Sequence, residues 1–195
     1  MRPLSASLLC LFVLTVGAAA QDKEKGELNV GDKAPVFEAM DAHGTNWKST
    51  DHVGTKFIVV YFYPGDFTPG CTAQAKKFQE NMNKLYDQGA EVVGISGDSS
   101  QTHVLFTETY KLTYTLLSDE TGKVAKKFGV PITAGANVKF RLPDKTMLEF
   151  KRESTLARWT FVIDRDGKIV YKNTKVNPLQ DSEKIQVFLE GVDKK

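Results

Sequence analysis

The stretch Phe57-Ile-Val-Val-Tyr-Phe-Tyr63 is apolar at every position and rich in β-branched and aromatic residues. A strand with one face in water alternates polar and apolar side chains, whereas a strand without alternation must be covered on both faces. This run therefore commits the chain to a layered fold with a sheet in its interior. The run stops at Pro64-Gly65, and a stripe of a different period follows. Cys71, Ala75, Phe78, Met82 and Leu85 recur at intervals of four and three, one face of a helix that runs to about Gly89. Ala90-Glu-Val-Val-Gly-Ile-Ser96 then reads as a second buried strand.

The other segments continue the alternation. Val36–Met40 and Thr45–Ser49 flank the turn signal Asp41-Ala-His-Gly44 and predict an N-terminal hairpin. Ser99 or Ser100 can cap a helix that runs to Tyr110. Thr115–Leu117 is a short strand, and Lys123–Phe128 is a short helix stopped by Gly129. Trp159–Ile163 and Lys168–Tyr171 flank Asp164-Arg-Asp-Gly167, a strong hairpin signal. Ile185, Phe188, Leu189 and Val192 mark a last amphipathic helix, with Asp181 or Ser182 as its cap. Residues 131–156 carry prolines and many charges, and read as a loop with one strand near Met147–Phe150. The order predicts an α/β fold: a central mixed β-sheet flanked by helices, with the hairpin ahead of it.

At the start of the chain, Arg2 precedes the uncharged and mostly apolar stretch Leu4 to Val16. Ala18-Ala-Ala20 and the polar run Gln21 to Lys25 follow, the order of a cleaved export signal. The apolar stretch is shorter than the roughly 18 residues a spanning helix needs. Residues 1–20 are read as a signal peptide, 21–30 as a flexible lead-in and 31–195 as one domain, periplasmic or secreted. Loss of Arg2 with the signal takes the formal charge from +2 to +1. Acidic and basic residues are interspersed, which points away from nucleic acid and, once the signal is gone, from membranes.

The sequence holds two cysteines, Cys10 and Cys71. Cys10 leaves with the signal, so Cys71 is the one thiol of the mature chain and has no internal partner. A thiol is a good nucleophile when ionised. Free cysteine titrates near pH ~8.5, and a helix N-terminus or a nearby cation lowers that value. Cys71 opens the helical stripe, where free N–H groups and the positive dipole end favour an anion. Pro69 lacks an N–H, and Gly70 lets the backbone approach closely. Thr68 offers a hydroxyl to the sulfur or to a substrate oxygen, while Pro64 shields the site and fixes the strand exit.

Arg158 is the best-placed distant cation, provided its strand neighbours the one ending at Tyr63; Arg152 and Arg141 are rivals. Gln74, one turn after Cys71, either bonds to the site or faces solvent. A lone cysteine is more often a small core residue, but the Pro-Gly-Asp-Phe-Thr-Pro-Gly setting favours catalysis here. His43, His52 and His103 have no metal-ligand spacing and read as surface or turn residues. No metal or cofactor is expected.

The run Pro64-Gly-Asp-Phe-Thr68-Pro-Gly-Cys71 resembles the P-x-x-x-T-x-x-C motif of peroxiredoxins. The longer stretch Tyr61 to Ala75 is similar to the bacterioferritin comigratory protein, or peroxiredoxin Q, subfamily. Arg158-Trp-Thr-Phe-Val-Ile-Asp164 resembles that subfamily's arginine-bearing strand. Leu116-Leu-Ser-Asp119, Phe128-Gly-Val130 and Gly31-Asp-Lys-Ala-Pro35 fit as well, so the resemblance covers roughly residues 29–192. It implies a thioredoxin-like fold and reduction of hydroperoxides. It also implies that Cys71 is the peroxidatic nucleophile, that Thr68, Gly70 and Arg158 hold the peroxide, and that Pro64 shields it.

Many members of that subfamily carry a resolving cysteine five residues after the peroxidatic one; here Lys76 occupies that position. The chain thus resembles a 1-Cys variant, whose oxidised sulfur needs an external thiol, protein or small molecule. The alternative is a redox-sensing or binding module that forms one mixed disulfide without turnover. Residues 131–156 are longer than in compact relatives. With no evident extended C-terminal arm, a monomer is expected.

Overall fold

The structure is a computed structural model that describes residues 28–192. The signal peptide expected over residues 1–20 and the lead-in expected to follow it, as far as residue 27, lie outside the described residues. The chain forms β1 (Glu38–Asp41), β2 (Asn46–Lys48), a 3-10 turn (Ser49–Asp51), β3 (Phe57–Phe62), α1 (Pro69–Asp87), β4 (Ala90–Ser96) and α2 (Ser100–Tyr110). There follow β5 (Thr115–Ser118), α3 (Lys123–Phe128), β6 (Ile132–Ala134), β7 (Asn137–Arg141), β8 (Met147–Lys151) and β9 (Ser154–Leu156). The chain continues through β10 (Trp159–Ile163), β11 (Ile169–Asn173) and α4 (Asp181–Val192).

Seven strands form one mixed sheet in the order β11-β10-β3-β4-β5-β1-β2. β3, β4 and β5 run parallel, while β10 and β1 pair antiparallel with their neighbours. β3 lies in the interior of the sheet, as its unbroken apolar run requires: Phe57 to Tyr63 are each between 0% and 4% exposed. Val59, Tyr61 and Tyr63 enter one core layer with Phe78, Phe106, Ile185 and Leu189. Ile58, Val60 and Phe62 enter the other with Phe128, Phe161 and Trp47. Each fully buried side chain of this size contributes roughly 1.5–3 kcal/mol relative to exposure. Leu28 is buried in the second layer, so the packed domain reaches upstream of residue 31.

The helix signals hold at the level of single atoms. The Ser99 hydroxyl accepts from the Thr102 N–H at 3.3 Å and caps α2. Gly129 closes α3 in the left-handed conformation, with φ 70°. Asp41 accepts the N–H groups of His43 and Thr45 in the first hairpin turn, and Asp164 those of Asp166 and Lys168 in the last. Asp181 and Ser182, expected as caps of α4, turn inward instead. Asp181 bonds to Gln74 and Thr160, and Ser182 to Asn81.

The strand expected near Met147–Phe150 is β8, but the loop expected over the rest of 131–156 is corrected: three further strands form there. β6 pairs with β9, and β7 pairs with β8 as a separate hairpin. Val138, Phe140, Leu148 and Phe150 alternate with Lys139, Arg141, Glu149 and Lys151. This is a period of two, which the density of charge on the solvent face conceals. Lys139 and Glu149 sit opposite each other and pair at 2.7 Å. Pro143 lies in the connecting turn, where it removes no ladder bond.

Candidate functional site

The site begins where β3 ends. The chain leaves the sheet at the half-buried Pro64 and enters α1 after Thr68, which takes the N-cap position. Pro69 is the first helical residue, so α1 starts two residues ahead of Cys71 and Cys71 lies in its first turn. Amide N–H groups of that turn have no partner within the helix and present a positive end. Phe67 is a non-glycine residue at φ 62° and is 0% exposed. Such a conformation costs about 1–3 kcal/mol. Burial offsets the cost: the ring packs on Phe106 at 5.1 Å and on Phe140 at 5.2 Å.

Arg158 meets the condition set from sequence. Trp159 pairs with Phe62, so the residue before it lies level with the exit of β3. Its Nη2 donates to Cys71 Sγ at 3.1 Å. Its Nη1 donates to Gln74 Oε1, and Gln74 Nε2 donates to Asp181 Oδ2 at 2.8 Å. Thr160 Oγ1 donates to the same carboxylate oxygen at 2.7 Å. Gln74 is therefore buried in the site rather than facing solvent. The carboxylate dictates which way its amide points, and the amide in turn holds the guanidinium on the sulfur. Burial pushes the Asp181 carboxyl up; its bonds to Thr160 and Gln74 and the charges of Arg158 and Lys184 oppose that.

Cys71 itself is 1% exposed. A side-chain carbon at Gly70 would lie 3.5 Å from Arg158 Nη2 and 3.9 Å from Pro178 Cγ, so Gly70 keeps the approach to the guanidinium clear. Thr68 Oγ1 donates to the Gly65 carbonyl at 3.0 Å. Its proton is thereby committed, and its oxygen is left to accept a hydrogen bond from a ligand O–H. The Tyr61 and Tyr114 hydroxyls bond at 2.8 Å on the face of the sheet that carries α1, and burial pushes both phenols up.

The two rival arginines have other places. Arg141 lies on the exposed face of β7. Arg152 is 6% exposed and enters a buried polar cluster under the Pro64–Thr68 turn, donating to Asp98 Oδ1 from Nε at 2.8 Å. His103 joins this cluster and is 0% exposed, which corrects its reading as a surface or turn residue. Its Nδ1 lies 2.7 Å from Asp66 Oδ2 and its Nε2 lies 3.2 Å from the Leu117 carbonyl. Both partners are acceptors, which suits an imidazole protonated on both nitrogens. Burial lowers the His103 pKa, but Asp66, Asp98 and the Leu117 carbonyl outweigh it and the net direction is up. Asp98 is pushed up by burial and by Asp66, against Arg152.

Sequence reasoning did not find Asp66, Asp98, His103 or Asp181. The available signal was an acid set directly against an apolar neighbour (Asp66 before Phe67) or two residues past a buried strand (Asp98 after β4). Among the described residues, no cluster of His, Cys, Asp and Glu could hold a metal ion.

Residues 30–172 match the AhpC/TSA family. The chain is 42% identical over 149 residues to chloroplastic peroxiredoxin Q of Suaeda salsa, covering 75% of this chain and 61% of that protein. To chloroplastic peroxiredoxin Q of Sedum lineare it is 43% identical over 145 residues, covering 73% and 68%. The match to the Suaeda protein thus spans about three fifths of that relative's length. Among solved structures, peroxidoxin BcpB from Mycobacterium tuberculosis superposes with a TM-score of 0.71 at 29% identity, over 85% of this chain and 99% of that one. A cysteine-to-serine mutant of Xylella fastidiosa PrxQ superposes with a TM-score of 0.71 at 24% identity, over 87% and 99%. The central mixed sheet with helices on its faces is the thioredoxin-like architecture of these proteins. The chain belongs to the AhpC/TSA family, and within it stands with the peroxiredoxin Q proteins.

Proposed function

We propose that the protein is a thiol-dependent peroxidase that reduces hydrogen peroxide and small organic hydroperoxides through Cys71. The observation that carries this reading is Arg158 Nη2 at 3.1 Å from Cys71 Sγ, beside the N-terminus of α1. A cation donating to the sulfur favours its ionised form as nucleophile. The thiolate attacks one peroxide oxygen, forming an S–O bond as the O–O bond breaks. The leaving oxygen takes a proton and departs as water or alcohol, and Cys71 becomes a sulfenic acid. Arg158 and the helix N-terminus stabilise the charge that develops across the O–O bond. Thr68, its own proton on Gly65, accepts from the peroxide O–H.

Regeneration follows from the cysteine count. Lys76 is on the exposed side of α1, where many relatives have a second thiol. With residues 1–20 removed as an export signal, no other cysteine remains. An external thiol condenses with the sulfenic acid, releasing water and leaving a mixed disulfide. A second thiol then frees Cys71. The same missing partner motivates a second reading, in which the mixed disulfide with a protein partner is the end point. Purified exported protein, with its N-terminus checked by intact mass, is mixed with peroxide and excess dithiothreitol or thioredoxin. Many equivalents should be consumed, and none by Cys71→Ser. Equal consumption by both proteins rejects the peroxidase reading, and a single equivalent consumed by wild type favours the sensor.

A further inference from the structure

Arg152 is a buried cation remote from the sulfur chemistry, and its contacts converge on the turn that carries Thr68. It lies between β8 and β9, inside the segment 131–156. Its guanidinium splits its donors. Nε bonds to Asp98 Oδ1 at 2.8 Å and Nη2 to the backbone carbonyl of Asp66 at 3.0 Å. Asp98 Oδ2 accepts the backbone N–H of the same Asp66 at 2.7 Å. One ion pair thus holds both polar groups of one peptide residue. The Asp66 side chain is held separately by the Tyr63 hydroxyl at 2.7 Å and by His103. The fit requires glycine at position 65, where a side-chain carbon would fall 2.0 Å from Arg152 Cζ. The carbonyl of this same Gly65 is the acceptor that orients the Thr68 hydroxyl.

Resting on the peroxidase reading, we infer that the Asp98–Arg152 pair is a positioning device for Thr68. It locks the Gly65–Thr68 turn so that the hydroxyl oxygen faces a peroxide bound at Cys71. Segment 131–156 serves the site by delivering this arginine. The pair touches neither the sulfur nor Arg158, so it governs how peroxide is held and not how readily the sulfur reacts with other electrophiles.

The test compares two rates on one thiol: peroxide reduction and alkylation by iodoacetamide at a fixed pH, on protein of matched folded fraction. Arg152→Gln should lower the peroxide rate by about tenfold or more, as small misplacements of a reacting group do, and leave alkylation unchanged. Arg152→Lys should fall between, because an ammonium cannot reproduce the planar fork that serves Asp98 and the Asp66 carbonyl together. Arg152→Gln leaves Asp98 buried without its partner, which itself destabilises. Should it not fold, the paired change Arg152→Met with Asp98→Asn removes both charges and is read in the same way. An unchanged ratio of the two rates, or a parallel fall in both, overturns the inference. If wild type reduces peroxide and Cys71→Ser does not, that failure leaves the peroxidase reading standing.

Discussion

At the scale of single residues, Gly70 separates stability from reactivity. It lies inside α1, where glycine costs roughly 0.5–1 kcal/mol relative to alanine. A methyl group at this position meets Arg158 Nη2 at 3.5 Å, an ordinary contact, so the fold accepts it. The same methyl narrows the space beside the guanidinium, where the proposed reaction holds its peroxide. Gly70→Ala should therefore raise the denaturation midpoint slightly while slowing peroxide reduction several-fold. Urea titration and stopped-flow kinetics on one preparation check both, and an unchanged peroxide rate would place the substrate path elsewhere. The placement of Pro64, Thr68 and Cys71 was legible in the sequence because their relation is local: a strand exit, a turn and a helix start within eight positions. Arg158 was legible only conditionally, since its value depends on which strand pairs with β3. Asp181 was not legible as a site residue. Its bond to Gln74 joins positions 107 residues apart, and sequence assigned it the commoner task of capping its own helix.

At the scale of elements, the β7–β8 hairpin is a brace for the turn before α1. Phe140 stacks on Phe67, which holds a left-handed conformation that a phenylalanine does not adopt unaided. A full Phe→Ala truncation in a core costs about 3–5 kcal/mol. Phe140 is half-buried, so Phe140→Ala should cost less, about 1–2 kcal/mol. It should also slow peroxide reduction, because relaxation of Phe67 moves Thr68. Chemical denaturation gives the first figure; a loss of stability with no kinetic change would mean that Phe106 and Phe150 hold Phe67 without Phe140. The helices and central strands were readable because caps, glycines and apolar periods agree with one another. The hairpin was not, because its period-two pattern covers only five residues per strand and two of the five are charged. Charge density looks the same on a loop and on the wet face of a ribbon.

At the scale of the whole molecule, the buried cluster ties stability to pH. The His103 pKa is raised above its ordinary value of 6.5, so the folded state binds the proton more tightly than the unfolded state. That contribution is complete below 6.5 and is lost as pH rises through the raised folded value. Asp98 acts in the same direction. Its pKa is raised from 3.8, so ionising it on the way up in pH weakens the fold. The melting temperature should fall as pH climbs above 6.5, and His103→Gln should flatten that slope by removing the imidazole's titration. Parallel slopes for the two proteins would show that the imidazole does not titrate over that range.

The chain Cys71–Arg158–Gln74–Asp181 also has a consequence for biosynthesis. Its members are spread from the first turn of α1 to the first turn of α4. Synthesis proceeds from the amino end, so the sulfur is made long before its arginine, and the arginine before the acid that steadies it through Gln74. A nascent chain therefore carries the cysteine before the arginine that donates to it. Of this chain of four the sulfur is made first, and the arrangement that holds the arginine on it is complete only when α4 docks.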